Sequence, residues 1–168
     1  MPRLIKGGAV VEDGFVAVRE AAGPADLPDG PVIVPLALWQ SHRDVLRARG
    51  TVGVWLAPAD DPAALAGDLD HVALVAVDFP AFADGRGYST ARLLRDRHGY
   101  AGELRAIGDV QRDQLCYLAQ VGFDAFEVAQ GRDADAALAG LRDFSDGYQA
   151  TQARTPWFRR RAALGGAQ

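Results

Sequence analysis

Hydrophobic positions along the chain fall into short apolar runs, separated by amphipathic stretches with helical spacing. Residues 32–36 read as a strand, followed by a helix over 38–49. Residues 52–56 read as a second strand, followed by a brief helix over 62–66. Residues 72–77 are apolar at every position, the pattern of a strand covered on both faces, and they mark a third. A helix over 89–97 precedes a fourth strand at 103–107. The helix over 112–120 stops at Gly122, a natural left-handed terminator. A fifth strand at 123–128 and a helix over 133–144 complete the alternation. Ahead of it, residues 4–18 read as short strands, with Gly7-Gly8 and Asp13-Gly14 supplying hairpin turns. A loop rich in Gly, Pro and Asp follows at 21–30.

Strands alternating with helices predict an α/β fold in which βαβ units build a mostly parallel sheet of about five strands. Two architectures satisfy that pattern, an open doubly wound sheet or a partial βα-barrel. The open sheet is the expectation, because about five strands cannot close a standard eight-stranded barrel. Residues 1–150 form a single domain, with 1–20 as a small N-terminal β-hairpin appendage. Residues 151–168 differ in kind: the segment carries four arginines and no acidic residue, and is read as a basic, flexible tail.

Composition narrows the function more than the fold. At 168 residues and 49% hydrophobic the chain has material for one real core. A net charge of −4 argues against a general nucleic-acid binder. No apolar run approaches the ~20 residues that span a bilayer, and the N-terminus lacks a secretory signal, so a cytoplasmic location is expected. The single cysteine, Cys116, excludes an intrachain disulfide and a four-cysteine cluster, and its amphipathic setting marks a buried core residue. His42, His71 and His98 have no metal-ligand spacing, so no metal site is expected. No cofactor is specified. Trp39, Trp55 and Trp157 are read as core aromatics, with anchors of a homo-oligomer interface as the alternative.

Candidate chemistry gathers where the third strand ends. Asp78 is followed by Asp84-Gly85-Arg86-Gly87-Tyr88-Ser89 and a helix whose expected N-cap is Ser89 or Thr90. Arg86 and the first helical turn would together receive a small oxyanion. The competing reading pairs Arg86 with Asp78 or Asp84 as a structural turn. After the fourth strand, Asp109 either caps the next helix or faces the same rim as Asp78, and Arg112 lies in that helix's first turn. Glu127 points into a polar pocket or to solvent.

The run from Asp78-Phe79-Pro80 through Gly85-Arg86-Gly87-Tyr88-Ser89, with Gly102-Glu103-Leu104-Arg105-Ala106-Ile107-Gly108-Asp109 and Gly122-Phe123-Asp124-Ala125-Phe126, resembles domain-of-unknown-function family 934. The likeness covers roughly residues 3–150 and leaves the tail outside. Members of that bacterial family are described as probable oxidoreductases involved in sulfite reduction. The resemblance therefore implies an accessory protein of assimilatory sulfite reduction, with sulfite reductase as partner. It supplies no catalytic residues. The alternative is an enzyme or sensor binding a small oxyanion-bearing ligand at the rim formed by the strand C-termini.

Overall fold

A computed structural model of the chain describes residues 3–128 and 131–142. Eight strands form one sheet: β1 (Arg3–Lys6), β2 (Ala9–Glu12), β3 (Val16–Ala17), β4 (Val32–Pro35), β5 (Val52–Leu56), β6 (Val75–Phe79), β7 (Leu104–Gly108) and β8 (Ala125–Glu127). Between them run α1 (Leu36–Ser41), α2 (Arg43–Arg49), α3 (Arg86–Arg92) with a π turn over Leu93–Arg97, and α4 (Arg112–Val121). Helix α5 (Ala134–Leu138) continues into a tight turn over Ala139–Arg142. The expected tail, with Trp157, lies outside the described residues.

The strand order is β2-β1-β8-β7-β6-β5-β4-β3. From β3 to β8 it runs in sequence order, every neighbour parallel. A doubly wound sheet reverses direction partway, and this one does not. Right-handed crossovers in one direction put every helix on the same face. The core confirms it: Val32, Val34, Val54, Val75, Val77, Leu104, Ala106 and Phe126 pack with Trp39, Leu46, Ala91, Leu115 and Leu118 from the helices. Ile33, Leu74, Ala76 and Ile107 form a separate cluster on the opposite, concave face, joined by Phe15 and Trp55. The sheet is a curled half-barrel of eight strands, so the expectations of about five strands and of an open doubly wound sheet are both corrected.

The count rose because the N-terminal hairpin is no appendage. Gly7 and Gly8, at φ +61° and +77°, make the two-residue turn that the sequence suggests, and β1 then pairs antiparallel with β8. Asp13-Gly14, by contrast, is not a positive-φ turn. Residues 13–15 carry the chain from β2, at one edge of the sheet, to β3, at the other. Four Cα–Cα steps separate Glu12 from Val16, so the two edges approach within about 14 Å there. That short link requires the curl.

Other boundaries moved for local reasons. The helix expected over 38–49 breaks at His42 (φ −133°), which lets Trp39, Arg43 and Arg47 all reach the buried Asp68 carboxylate. The third strand begins at Val75 and keeps Asp78 inside it, because Asp78 and Phe79 pair with Ile107 and Gly108. Helix α4 ends at Gly122 (φ +116°), as its sequence indicates, and Cys116 is buried on it.

Candidate functional site

The concave face holds more charge than a barrel interior normally tolerates. Its residues follow from strand alternation. In β7, Leu104 and Ala106 face the helices, so Arg105 and Ile107 face inward. The same rule turns Ala76 and Asp78 inward from β6, and Glu127 inward from β8. Phe15 and Arg19, four residues apart and on either side of β3, come in from the far edge.

Two ion pairs cross this interior. Deeper in, Arg105 Nη1 reaches Asp13 Oδ2 at 2.5 Å, with both side chains no more than 3% exposed. Arg105 also donates from Nε and Nη2 to Glu103 Oε1, at 3.0 and 2.8 Å, and lies over the Phe15 ring. Lys6 Nζ closes the chain on Glu103 Oε2 at 2.5 Å. Burial alone would raise the Glu103 pKa, yet Lys6 and Arg105 outweigh it and hold the carboxyl below its usual value. Asp13 Oδ1 meanwhile accepts from the Phe15 N–H at 3.0 Å, which fixes the edge-to-edge link.

Nearer the strand C-termini, Arg19 Nη1 lies 2.8 Å from Asp78 Oδ1. The contact is off the line of a hydrogen bond, so that buried oxygen has none. The Arg19 guanidinium sits over the Trp55 ring at 5.1 Å, and the Trp55 indole N–H anchors on Val18 O at 3.0 Å. Arg19 itself is 48% exposed. Glu127 occupies the same level, one step beyond the Ala106–Phe126 pair, so that it flanks Ile107 on one side while Asp78 flanks it on the other. Two strand spacings place the Asp78 and Glu127 Cα atoms about 10 Å apart. No hydrogen bond to the Glu127 carboxyl exists among the described residues. Burial pushes its pKa up, Asp13 and Asp78 add to the rise, and Arg105 and Arg19 only partly counter it.

The segments around Asp78 and Asp109 do share one rim, as Phe79 pairs with Gly108. Gly108 has φ +94°, and a Cβ there would stand 2.4 Å from Phe79 O and 2.8 Å from Asp78 Oδ1, so only glycine fits. The other candidates have structural partners. Asp84 takes Arg86 Nε and Nη2 at 3.0 and 2.6 Å and the Arg86 N–H at 3.2 Å, the structural pairing that competes with a clamp, and this keeps Asp84 below its usual pKa. Helix α3 starts at Arg86 with Gly85 as its N-cap, correcting the cap expected at Ser89 or Thr90. Gly87 is buried against Phe79, Tyr88 stacks edge-on to the same ring, and Ser89 is exposed. Asp109 is not the cap of α4, which is Gln111. It accepts instead from the Phe82 N–H at 3.0 Å and pins the 79–85 loop. Arg112 is exposed, and its backbone packs at Gly140.

Of the charged residues that face this interior, sequence reasoning named Asp78 and raised Glu127, but did not name Asp13, Arg19 and Arg105. A signal existed for Arg105, a charge in the middle of an otherwise apolar strand. For Asp13 and Arg19 the even spacing with Phe15, two and four residues, was visible, but nothing said which strand they would face. Among the described residues no group of His, Cys, Asp or Glu is arranged to hold a metal ion, and no helix is long and apolar enough to cross a membrane.

A family model described as a bacterial protein of unknown function, DUF934, matches residues 53–158. The chain belongs to this family. In this DUF934 member the matched stretch begins inside β5 and carries Asp78, Arg105 and Glu127, while Asp13 and Arg19 precede it. The match also runs into the basic segment through Phe158, which corrects the expectation that the tail stands outside the likeness. Comparison with curated proteins returns no match.

Proposed function

We propose that this DUF934 protein binds a small anionic ligand at the mouth of its half-barrel, with Arg19 as the cation that receives it. The supporting observation is the arrangement of Arg19. It spends one nitrogen on Asp78, keeps its remaining N–H groups without a partner among the described residues, and stands half exposed at the strand C-termini, where βα-barrels bind ligands. A guanidinium fork suits a carboxylate, sulfonate or other oxyanion. Arg19 is preferred to Arg86 as the anchor because Arg86 gives both Nε and Nη2 to Asp84, whereas Arg19 pairs through one nitrogen.

A thermal-shift screen with sulfite, sulfate, adenylyl sulfate, NADPH and flavins tests the reading. A ligand at 100 times its dissociation constant adds about 2.7 kcal/mol, roughly 5–10 °C in Tm for a chain of this size. Arg19→Ala should abolish that shift and Arg86→Ala should leave it intact. The opposite pattern would return the clamp to the 84–89 turn.

The second reading is an accessory role beside sulfite reductase, and the resemblance of the 78–89 and 102–109 segments supports it. Deletion of the gene should then impair growth on sulfate as sole sulfur source, and the protein should co-purify with the reductase. Normal growth of the deletion strain would remove that reading without touching the ligand site.

A further inference from the structure

Next to the mouth lies a cleft of about 670 Å³ that the interior site does not use. It is lined by the segment after β3, including Arg19 and Glu20, and by the end of β4 and helix α1, including Pro35, Leu38, Ser41 and His42. Arg19 belongs to both places, because it is one of the cleft's lining residues and its guanidinium pairs with Asp78. Asp26, also in the wall, spends its carboxylate on the Ala22 and Gly23 N–H groups at 3.1 Å each. Nδ1 of His42 has no hydrogen-bond partner among the described residues. A bare oxyanion held by Arg19 would leave almost all of this volume unfilled, whereas ligand pockets of 300–1,000 Å³ suit organic molecules.

We infer that the ligand is an organic anion, a carboxylate, sulfonate or phosphate group on a largely apolar body, with the charged head at Arg19 and the body lying in the cleft against Pro35 and Leu38. The inference rests on the reading of Arg19 as the anion anchor. Glu20, also in the lining, further disfavours a second negative charge on such a molecule.

The test is calorimetric titration of the full chain with inorganic sulfate, benzenesulfonate and AMP. At least one organic probe should bind about tenfold or more tightly than sulfate. Ala37→Trp, on an exposed position of the cleft wall, should weaken the organic probe by a similar factor and leave sulfate unchanged. Ser41→Tyr repeats the block from another lining residue if the first variant does not fold. Organic probes that bind no more tightly than sulfate, or that ignore both blocking substitutions, overturn the cleft while the mouth stands. Binding of sulfate and organic probes alike that survives Arg19→Ala overturns the mouth reading as well, and so does an absence of any binding at millimolar concentrations.

Discussion

Arg105 is a charge with less than a twentieth of its surface exposed, so its neighbours decide whether it is tolerated. Asp13 and Glu103 supply the carboxylates, and Phe15 supplies a ring face. Removing one member of a buried pair leaves the other unpaired, which costs about 3–5 kcal/mol. Arg105→Met should therefore lower stability by about that amount in urea unfolding. Combining it with Asp13→Asn, which keeps an acceptor for Phe15 N–H, should recover part of the loss. Glu127 behaves in the opposite sense to most carboxyls. Its folded-state pKa is raised, so the native state holds a proton that the unfolded chain has already released. Stability should fall as pH rises from the ordinary glutamate value of 4.5 through the raised one. Glu127→Gln should flatten that part of the profile and raise Tm at neutral pH. Asp68 works the usual way. Burial raises its pKa, but Trp39, Arg47 and Arg43 outweigh that, so the stability it lends is lost as pH falls below the ordinary aspartate range.

At the scale of elements, the loop after β6 shows how a turn is held without a helix cap. Asp109 takes the Phe82 N–H, and Gln114 Nε2 reaches Phe82 O at 3.3 Å, so β7 and α4 together hold the loop between β6 and α3. Asp109→Ala should cost about 1–2 kcal/mol. It should speed amide exchange at Phe82 and its neighbours while the strands stay protected, and uniform exchange across the domain would contradict the pin. The alternation of strand and helix was legible from apolar runs, and Gly122 and Gly7-Gly8 were legible because each needs φ > 0. The N-cap positions were not. Ser89 has the right side chain, yet Asp84 fixes the Arg86 N–H three residues earlier.

For the whole molecule, the short link 13–15 is decisive. It ties the two edges of the sheet, positions Asp13 against Arg105, and leads to Arg19 opposite Asp78. The family match starts after it, at residue 53, and so omits β1 to β4. A fragment of residues 53–158 would leave Arg105 without Asp13, and β8 and β5 without their outer neighbours. It should show no cooperative unfolding transition by circular dichroism, and a cooperative transition like that of the full chain would mean that the N-terminal strands are dispensable after all.

Local sequence pattern by itself determined the alternation of strands and helices from β4 onward, that those strands run parallel, and that Asp78 ends up beside the Asp109 segment. Those outcomes depend on neighbours along the chain or on one crossover. The direction of winding, the half-barrel and the pairing of Arg19 with Asp78 were decided only in three dimensions. Each depends on contacts between residues far apart in sequence, and a period-two strand pattern reads the same whether the sheet stays open or curls until its edges meet.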